Sequence, residues 1–348
     1  MKYVTKPLCF AVIHSLLVLM AGCQSQPRPR LRLGAYFGAP IGIAYPDPEH
    51  LGKHGYTNGW SEKIGLVYTC RGGFVDIGHL RDAADRTRYC TTITFEKLMN
   101  SETELTFRLL EPSVYVVTIR YPDNWDTLPE KEKIAQETAL ELGRYFAFTT
   151  MVWHEIITWY GYKYTGVFSE YISAFSGEDI YSDLVGVHVA TKALHDQTNS
   201  FDDSMTMLIY KELKELNVQP VDVVKNAVQK VKGHWYGGSI YPFVSLKKRN
   251  LDIGLDDGFI TPWLTPGACE DCEPKLYSVP NIDSLNKNGF SVSLEIEPKI
   301  MECDKLFKLI YPEGNGKFVS PHEHFPVIMK YIAEIEIERH GPEALTPK

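Results

Sequence analysis

The longest regular pattern in the sequence is helical, and it begins near Pro129 and ends at Gly161. Apolar residues recur along it at steps of three and four, which is the spacing of one face of a helix. They are Ile134, Ala135, Ala139, Leu142, Phe146 and Trp153. The pattern predicts one long helix with a buried side, and the rest of the fold has to accommodate it.

The other patterns are shorter and mix strands with helices. Residues 103–110 and 113–121 read as two strands separated by Pro112, which suggests a hairpin. Asp76 can cap a helix that runs to about Tyr89. Further helices are predicted over residues 177–194, 202–216, 221–231 and 321–340, and extended chain over residues 239–263 and 290–297. We therefore expect an α+β fold, with a domain over residues 34–233 followed by a strand- and loop-rich subdomain or extension over 234–348.

Composition narrows the class of protein. The 348 residues are 44% hydrophobic and 23% charged, which is enough to bury a sizeable core. The formal net charge of −8 argues against nucleic acid as a partner, because binding phosphates needs clustered Lys and Arg. Seven cysteines are too few for a disulfide scaffold, but they permit one or two bridges in an exported protein.

The first 22 residues have the layout of a signal peptide. Two lysines precede an apolar run over residues 8–20, and the small residues Ala21 and Gly22 come before Cys23. The ending Leu-Met-Ala-Gly-Cys resembles a bacterial lipobox, with Met20 where that family usually has Leu. The resemblance implies cleavage before Cys23, a lipid on its sulfur and attachment to a membrane. An ordinary signal peptide with an accidental cysteine is the alternative.

The residue after the cysteine bears on the location. Gln24 is not an aspartate, which would suggest the outer membrane, facing the periplasm, if the source is Gram-negative. Residues 23–33 contain Pro27 and Pro29, which favour an extended, unpacked tether between the lipid and the domain. We therefore expect a protein of the cell envelope.

A His-Glu pair lies near the end of the long helical pattern. On a helix His154 and Thr158 are one turn apart, and Glu155 lies beside them. In the motif H-E-x-x-H the two histidines hold zinc and the glutamate activates the bound water. Here Thr158 stands where the second histidine belongs, and a His-Glu dipeptide alone occurs by chance in many proteins.

A second segment, Asp-Ile-Tyr-Ser-Asp-Leu-Val-Gly over residues 179–186, makes the pair more specific. Together the two segments resemble the gluzincin (thermolysin-like) metallopeptidases, whose acidic ligand follows the first histidine by about the 25 residues that separate His154 from Asp179. The resemblance implies a zincin-like core, a zinc ligand at Asp179, a carboxylate at Asp183 that orients His154, and Glu155 as general base. Glu178 is an alternative ligand one residue earlier.

A further ligand is needed, since catalytic zinc normally has three from the protein. His79 is the best candidate, because it shares a helix face with Asp82, which could orient it. These residues also have simpler interpretations. His79 and Asp82 could belong to a solvated face, His154 could be a core histidine bonded to Asp183, and Asp179 could cap its helix.

The exported cysteines suggest two local bridges. Cys70 and Cys90 bracket the segment that carries His79 and could pair across it. Cys269 and Cys272 form a C-x-x-C that could be redox-active or half of a zinc site, although a small loop disulfide fits better because no second C-x-x-C exists. Cys303 is left as a free thiol.

Two functions follow from these patterns. The first is a lipid-anchored zinc metallohydrolase, in which His154, Asp179 or Glu178, and His79 bind zinc and the substrate is a peptide or a cell-wall stem. The second is a non-catalytic binding or assembly factor of the envelope on a degenerate zincin-like fold. The chain is also similar to uncharacterised bacterial lipoproteins of unknown function, a likeness that implies no activity.

Overall fold

A computed structural model describes residues 26–32, 34–35, 45–163, 170–238, 244–270 and 272–347. The predicted signal peptide, Cys23 and the beginning of the tether lie outside the described residues, as do residues 239–243 of the predicted extended segment. Within the described ranges no helix is both long enough and apolar enough to cross a membrane.

The fold is α+β, as predicted. Its helices are α1 (Ile77–Met99), α2 (Lys131–Trp159), α3 (Asp179–His195), α4 (Phe201–Glu215), α5 (Val221–Val231), α6 (Asp283–Lys287), α7 (Asp304–Ile310) and α8 (Pro321–His340). Its strands are β1 (Leu66–Thr69), β2 (Gly73–Asp76), β3 (Glu104–Phe107), β4 (Ser113–Arg120), β5 (Tyr236–Gly237), β6 (Ser245–Leu246), β7 (Phe259–Ile260), β8 (Tyr277–Ser278) and β9 (Ser291–Pro298).

Helices α1, α2 and α3 pack together and form the centre of the protein. Two glycines permit this close approach. A methyl group on Gly186 of α3 would overlap the carbonyl oxygen of Leu80 in α1, and one on Gly143 of α2 would overlap Thr91. The glycine that ends the Asp179–Gly186 segment is therefore explained by helix packing, and it sets how closely the first turns of α1 and α3 approach each other.

Helix α1 begins as predicted and ends later. Asp76 is its N-cap, and Oδ1 of Asp76 accepts a hydrogen bond of 2.6 Å from the backbone N–H of Gly78. The helix continues past Tyr89 to Met99, because Thr94 and Leu98 are buried on the same side as the preceding turns. The threonines in this part of the chain have low helix propensity, so the sequence pattern did not indicate the extension.

The main sheet joins distant parts of the chain. Strands β3 and β4 form the predicted hairpin, and β9 pairs with β4 in antiparallel register, with Ile296 opposite Tyr115. Helix α8 packs on α2, where the rings of Trp153 and Phe325 are stacked with centroids 6.4 Å apart. The chain after residue 233 thus contributes β9 to the sheet and α8 to the packing of the helices.

The disulfide pairing differs from both predicted bridges. Cys70 is bonded to Cys269, and Cys90 and Cys272 are free. Cys90 lies on the fully buried side of α1, so it faces the helical core instead of the β1–β2 turn that carries Cys70. Cys303 is free and buried, as expected.

Residues 26–32 and 34–35, which we call the N-terminal strap, are packed against the domain. Arg32 is buried and forms ion pairs with Glu62 and Asp85. The hydroxyl of Tyr56 donates a 2.5 Å hydrogen bond to the carbonyl of Pro27. The prediction that this segment is unpacked is wrong, because buried charges hold it in place.

A second group of charges attaches the β8 region to helices α3 and α4. Glu212 accepts hydrogen bonds from Lys192, from Lys275 and from the hydroxyl of Tyr277. Burial alone would raise the pKa of Glu212, but these hydrogen bonds outweigh it and lower that pKa to about 2. The group therefore stabilises the fold only when Glu212 is ionised.

This pKa predicts a loss of stability in acid. Because the folded pKa is depressed, the stabilisation is present above the unfolded pKa of 4.5 and is lost as the pH falls towards 2. Allowing for solvent screening, we expect Glu212 to account for about 2 kcal/mol of the free energy of unfolding. In urea denaturation between pH 5 and about pH 2, the free energy of unfolding should fall less steeply with decreasing pH for Glu212→Gln than for wild type. Glu215→Gln is the control, since Glu215 is 43% exposed beside the same Lys275. An equally reduced pH dependence in both variants would contradict the assignment.

Candidate active site

The beginnings of α1 and α3 and the end of α2 bring the predicted site residues into one region. His79 lies in the first turn of α1, and Glu178 and Asp179 lie at the start of α3. His154 and Glu155 lie in the penultimate turn of α2. The positive ends of two helix dipoles point into the region, which favours carboxylates and other anions there.

His79 is held between two aspartates of α3. Its Nδ1 lies 3.1 Å from Oδ1 of Asp183, and its Nε2 lies 3.9 Å from Oδ1 of Asp179. Burial alone would lower the pKa of His79, but the charges of Asp183 and Asp179 outweigh it and raise that pKa well above its ordinary value. Two predicted contacts are therefore wrong. Asp183 orients His79 and not His154, and Asp82 does not orient His79.

His154 has a different carboxylate partner. Its Nδ1 lies 3.0 Å from Oε1 of Glu111, which is buried in the turn between β3 and β4. Arg86 donates to the same Glu111 oxygen at 2.7 Å and also binds Asp82 at 2.9 Å. Burial opposes the ionised form of Glu111, but Arg86 and His154 lower its pKa well below the ordinary value.

The sequence reasoning missed Glu111. The available signal was a carboxylate next to Pro112 between two apolar strands, and we interpreted that position only as a turn. The two histidines, whose side chains are 16% and 18% exposed, thus each have a buried carboxylate at Nδ1. At His79 this contact is a hydrogen bond, whereas Nδ1 of His154 meets Glu111 as an ion pair without an aligned hydrogen bond among the described residues. A carboxylate at Nδ1 leaves Nε2 to act as a ligand or a base.

Three acidic residues of α3 are buried at the same place. Asp179 accepts hydrogen bonds from the backbone N–H of Ser176 at 2.7 Å and from its hydroxyl at 3.1 Å. Neither carboxylate oxygen of Glu178 makes a hydrogen bond within the described structure, and Oδ2 of Asp183 also lacks one. Burial raises the pKa of Glu178 to about 8 and that of Asp183 to about 6. Burial, together with the charge of Glu155, raises the pKa of Asp179 well above its ordinary value.

Glu155 is fixed by the loop that joins α2 to α3. Its Oε2 accepts a 2.7 Å hydrogen bond from the backbone N–H of Phe175. Phe175 has a φ of +55°, a conformation that is costly for a bulky residue and that often occurs at functional sites. The charge of Glu155 raises the pKa of both Asp179 and Asp183, so it lies within electrostatic range of the two carboxyls.

The C-terminal part braces this loop. Arg249 is buried and donates hydrogen bonds to the carbonyl oxygens of Ala174 and Tyr171. Its guanidinium also lies 3.0 Å from Glu336 of α8. Glu336 in turn accepts hydrogen bonds of 2.8 Å from Trp159 and from Tyr171. The position of Phe175, and through it that of Glu155, therefore depends on residues far along the chain.

The N-terminal strap lies over His79. A methyl group on Gly34 would come within 2.7 Å of Nε2 of His79, and the backbone N–H of Ala35 donates a 2.5 Å hydrogen bond to Asp76. The strap therefore shields one side of the imidazole. The absence of a side chain at Gly34 leaves room for the ring.

The donor atoms suit a metal ion only in part. In a tetrahedral site two ligands at about 2.0–2.2 Å from zinc lie about 3.3–3.6 Å apart, so Nε2 of His79 and Oδ1 of Asp179, at 3.9 Å, would have to approach each other slightly to share one ion. Buried carboxylate oxygens without hydrogen bonds lie next to this pair, on Glu178 and Asp183. Across the described residues, however, no three His, Cys, Asp or Glu side chains are grouped so that they could hold a metal.

A family described as "Protein of unknown function (DUF4056)" matches residues 44–250, which is more than half of the chain. The chain belongs to this family. No curated protein matches the sequence, and no solved structure matches it. The DUF4056 region contains α1 to α5 and, apart from Glu336, the carboxylates and histidines of the site described above, whereas the N-terminal strap, β9 and α8 lie outside it.

Proposed function

We propose that this DUF4056 protein is a lipid-anchored, zinc-dependent hydrolase of amide bonds in the cell envelope, with a zincin-like site. The observation that carries the proposal is the environment of His79. A buried aspartate lies at its Nδ1, and a second aspartate lies 3.9 Å from its Nε2. This arrangement is typical of histidines that bind zinc, whose other ring nitrogen is held by a carboxylate.

His79 and Asp179 are the proposed zinc ligands, and His154 is the proposed third. The charges of His79, His154 and Glu155 all act on the pKa of Glu170, which supports the view that the two histidines lie within electrostatic range of one carboxyl. Glu178 remains an alternative ligand because neither of its carboxylate oxygens has a hydrogen bond from the part of the chain that the structure describes. When bound, zinc would polarise a carbonyl and lower the pKa of a water molecule.

The side chains of the site have separate roles in this proposal. Asp183 and Glu111 contact His79 and His154 at Nδ1, so that Nε2 of each ring would be the atom that binds the metal. Glu155, held by the N–H of Phe175, is the general base that takes a proton from water and returns it to the leaving amine. A peptide or a cell-wall stem is the proposed substrate class, and it follows from the gluzincin resemblance.

Metal analysis of the mature chain, purified without a metal-affinity tag, tests the ligand set. We expect about one zinc per chain, as in a mononuclear catalytic site, and its loss in His79→Ala and Asp179→Asn. His188→Ala is the matched control, because His188 lies on α3 but contacts Glu212 and Tyr277 instead of the site. Zinc bound equally by His79→Ala and wild type would refute the proposed ligands.

Hydrolysis is tested separately from metal binding. The zinc-loaded chain should cleave members of a peptide and cell-wall fragment library, with products identified by mass spectrometry. Glu155→Gln should keep its zinc and lose about 10²–10⁴-fold in rate, which is the usual contribution of a general base. A zinc-loaded wild type without activity on any fragment would favour the second candidate.

That candidate is a non-catalytic binding or assembly factor of the envelope. It is favoured by Thr158, which stands where the H-E-x-x-H motif has its second histidine. A metal-free protein whose Glu155→Gln variant supports normal growth of cells would agree with it.

A further inference from the structure

One tryptophan differs from all the others in its exposure. Trp60 is 95% exposed, whereas Trp125, Trp153, Trp159, Trp235 and Trp263 are at most 7% exposed. A fully exposed tryptophan is unusual for a large aromatic side chain, which normally gains by burial. At a membrane surface, however, tryptophan is favoured because its ring is apolar and its N–H can still reach water and headgroups.

The loop that carries Trp60 is bound to the N-terminal strap. Arg30 forms an ion pair with Glu62 and donates a 3.0 Å hydrogen bond to the carbonyl of Gly55. Arg32 binds both oxygens of Glu62, and a methyl group on Gly59 would collide with Arg30. The strap and the loop over residues 55–62 are therefore one unit, and the position of the strap fixes that of Trp60.

Other exposed side chains of this unit suit a lipid surface. Leu31, between the two arginines, is 45% exposed. Lys53 and Lys63 are exposed on the two sides of the loop, where the carbonyl of Lys53 accepts from the hydroxyl of Ser61. We call the side chains of Leu31, Lys53, Trp60 and Lys63 the Trp60 face. Its only acidic neighbour in the loop, Glu62, is already neutralised by arginines.

The strap also limits how far this face can lie from the proposed anchor. Cys23 precedes Arg30 by seven residues, and a fully extended chain covers at most about 3.6 Å per residue. A lipid on Cys23 would thus hold the bilayer surface within about 25 Å of Arg30, whose guanidinium lies against Gly59, next to Trp60. A second contact of this kind would add to the attachment that the lipid provides.

We infer that the Trp60 face rests on the bilayer surface, with the ring of Trp60 at the level of the headgroups. This inference relies on the lipid anchor of the proposed function but not on its zinc or its hydrolase activity. Three residues beyond Leu31 the strap reaches Gly34 and His79. The contact would therefore also hold the candidate site close to the membrane and favour substrates attached to or lying on it.

Fluorescence of the mature, lipid-bearing full chain in vesicles tests the contact. The vesicles consist of phosphatidylcholine with bromine on the acyl carbons nearest the headgroup. Bromine should quench the Trp60 emission, so that wild type loses intensity and Trp60→Phe does not. Trp60→Phe/Leu255→Trp is the matched control. It keeps one exposed tryptophan, at a position that is 56% exposed and belongs to a loop against Val279 instead of the strap, and bromine should not quench it.

Two results would overturn the inference. If mass spectrometry finds the lipid on Cys23 but bromine leaves wild type unquenched, the face does not touch the bilayer. If Cys23 carries no lipid, the anchor and this contact fail together. The zinc content of the same preparation reports on the candidate site independently of both results.

Discussion

Arg86→Met is expected to lower the free energy of unfolding by about 3–5 kcal/mol, the usual cost of removing one partner from a buried ion pair. Arg86 is 3% exposed and lies between the carboxylates of Asp82 and Glu111. Without the Arg86 guanidinium, Glu111 would keep its buried negative charge, and His154 would remain as its ion-pair partner. Methionine keeps most of the side-chain volume, so the loss should come from the charges and not from a cavity.

Urea denaturation at neutral pH measures this loss. Lys97→Met is the control, because Lys97 lies on the same helix and its side chain and that of its partner Glu102 are 32% and 44% exposed. It should cost about 1 kcal/mol or less. The double variant Arg86→Met/Glu111→Gln should recover part of the loss, since it removes the uncompensated charge. If Arg86→Met loses no more free energy of unfolding than the control, the ion pairs of Arg86 with Asp82 and Glu111 do not stabilise the fold in the way their geometry indicates.

The local part of this structure could be predicted from the sequence. Residues 221–231 and 321–340 form helices with the predicted bounds, and Asp76 caps α1 as expected. Each of these features is encoded in a few neighbouring residues. The pairing of β9 with β4 could not be predicted in the same way, because strand partners so far apart in the chain share no local pattern.

The candidate site shows the same division. Helical spacing correctly placed Asp179 and Asp183 on one face of α3, and His79 was correctly associated with Asp179. Which histidine Asp183 reaches depends on the crossing of α1 and α3, and that crossing is set by the contact of Gly186 with Leu80. Glu111 and Arg249 reach the site through tertiary contacts, so their charges resembled ordinary surface charges in the sequence.

The prediction that the strap is an unpacked tether was wrong for a related reason. Prolines and arginines are typical of exposed linkers, and the sequence gives no sign that Arg32 is buried. Its burial is tolerable only because Glu62 and Asp85, 30 and 53 residues further along, supply opposite charges. A buried charge is therefore recognised only with its partners, and these come from the fold.

Removal of the Cys70–Cys269 disulfide is the second change with a large expected effect. The bridge joins the β1–β2 turn to a loop that follows 199 residues later, and it closes more than half of the chain into a ring. The entropy of closing so long a loop in the unfolded chain corresponds to about 5 kcal/mol, and measured losses for native bridges are about 2–5 kcal/mol. We expect Cys70→Ala/Cys269→Ala to lose about 3–5 kcal/mol in urea denaturation.

Reductant separates this contribution from the effect of the substitutions. Wild type in dithiothreitol should approach the stability of the double variant, and the double variant itself should not respond to dithiothreitol. Cys272→Ala is the control, since Cys272 is free and should contribute little. Cys272 also affects the single variant Cys70→Ala. In that variant Cys269 could form a disulfide with Cys272 within the C-x-x-C, so that the expected free thiol would not be detected.

Peptide mapping of the oxidised wild type should recover a fragment linking Cys70 to Cys269. A fragment linking Cys269 to Cys272, together with indifference to reductant, would contradict both the pairing and the loop-closure argument.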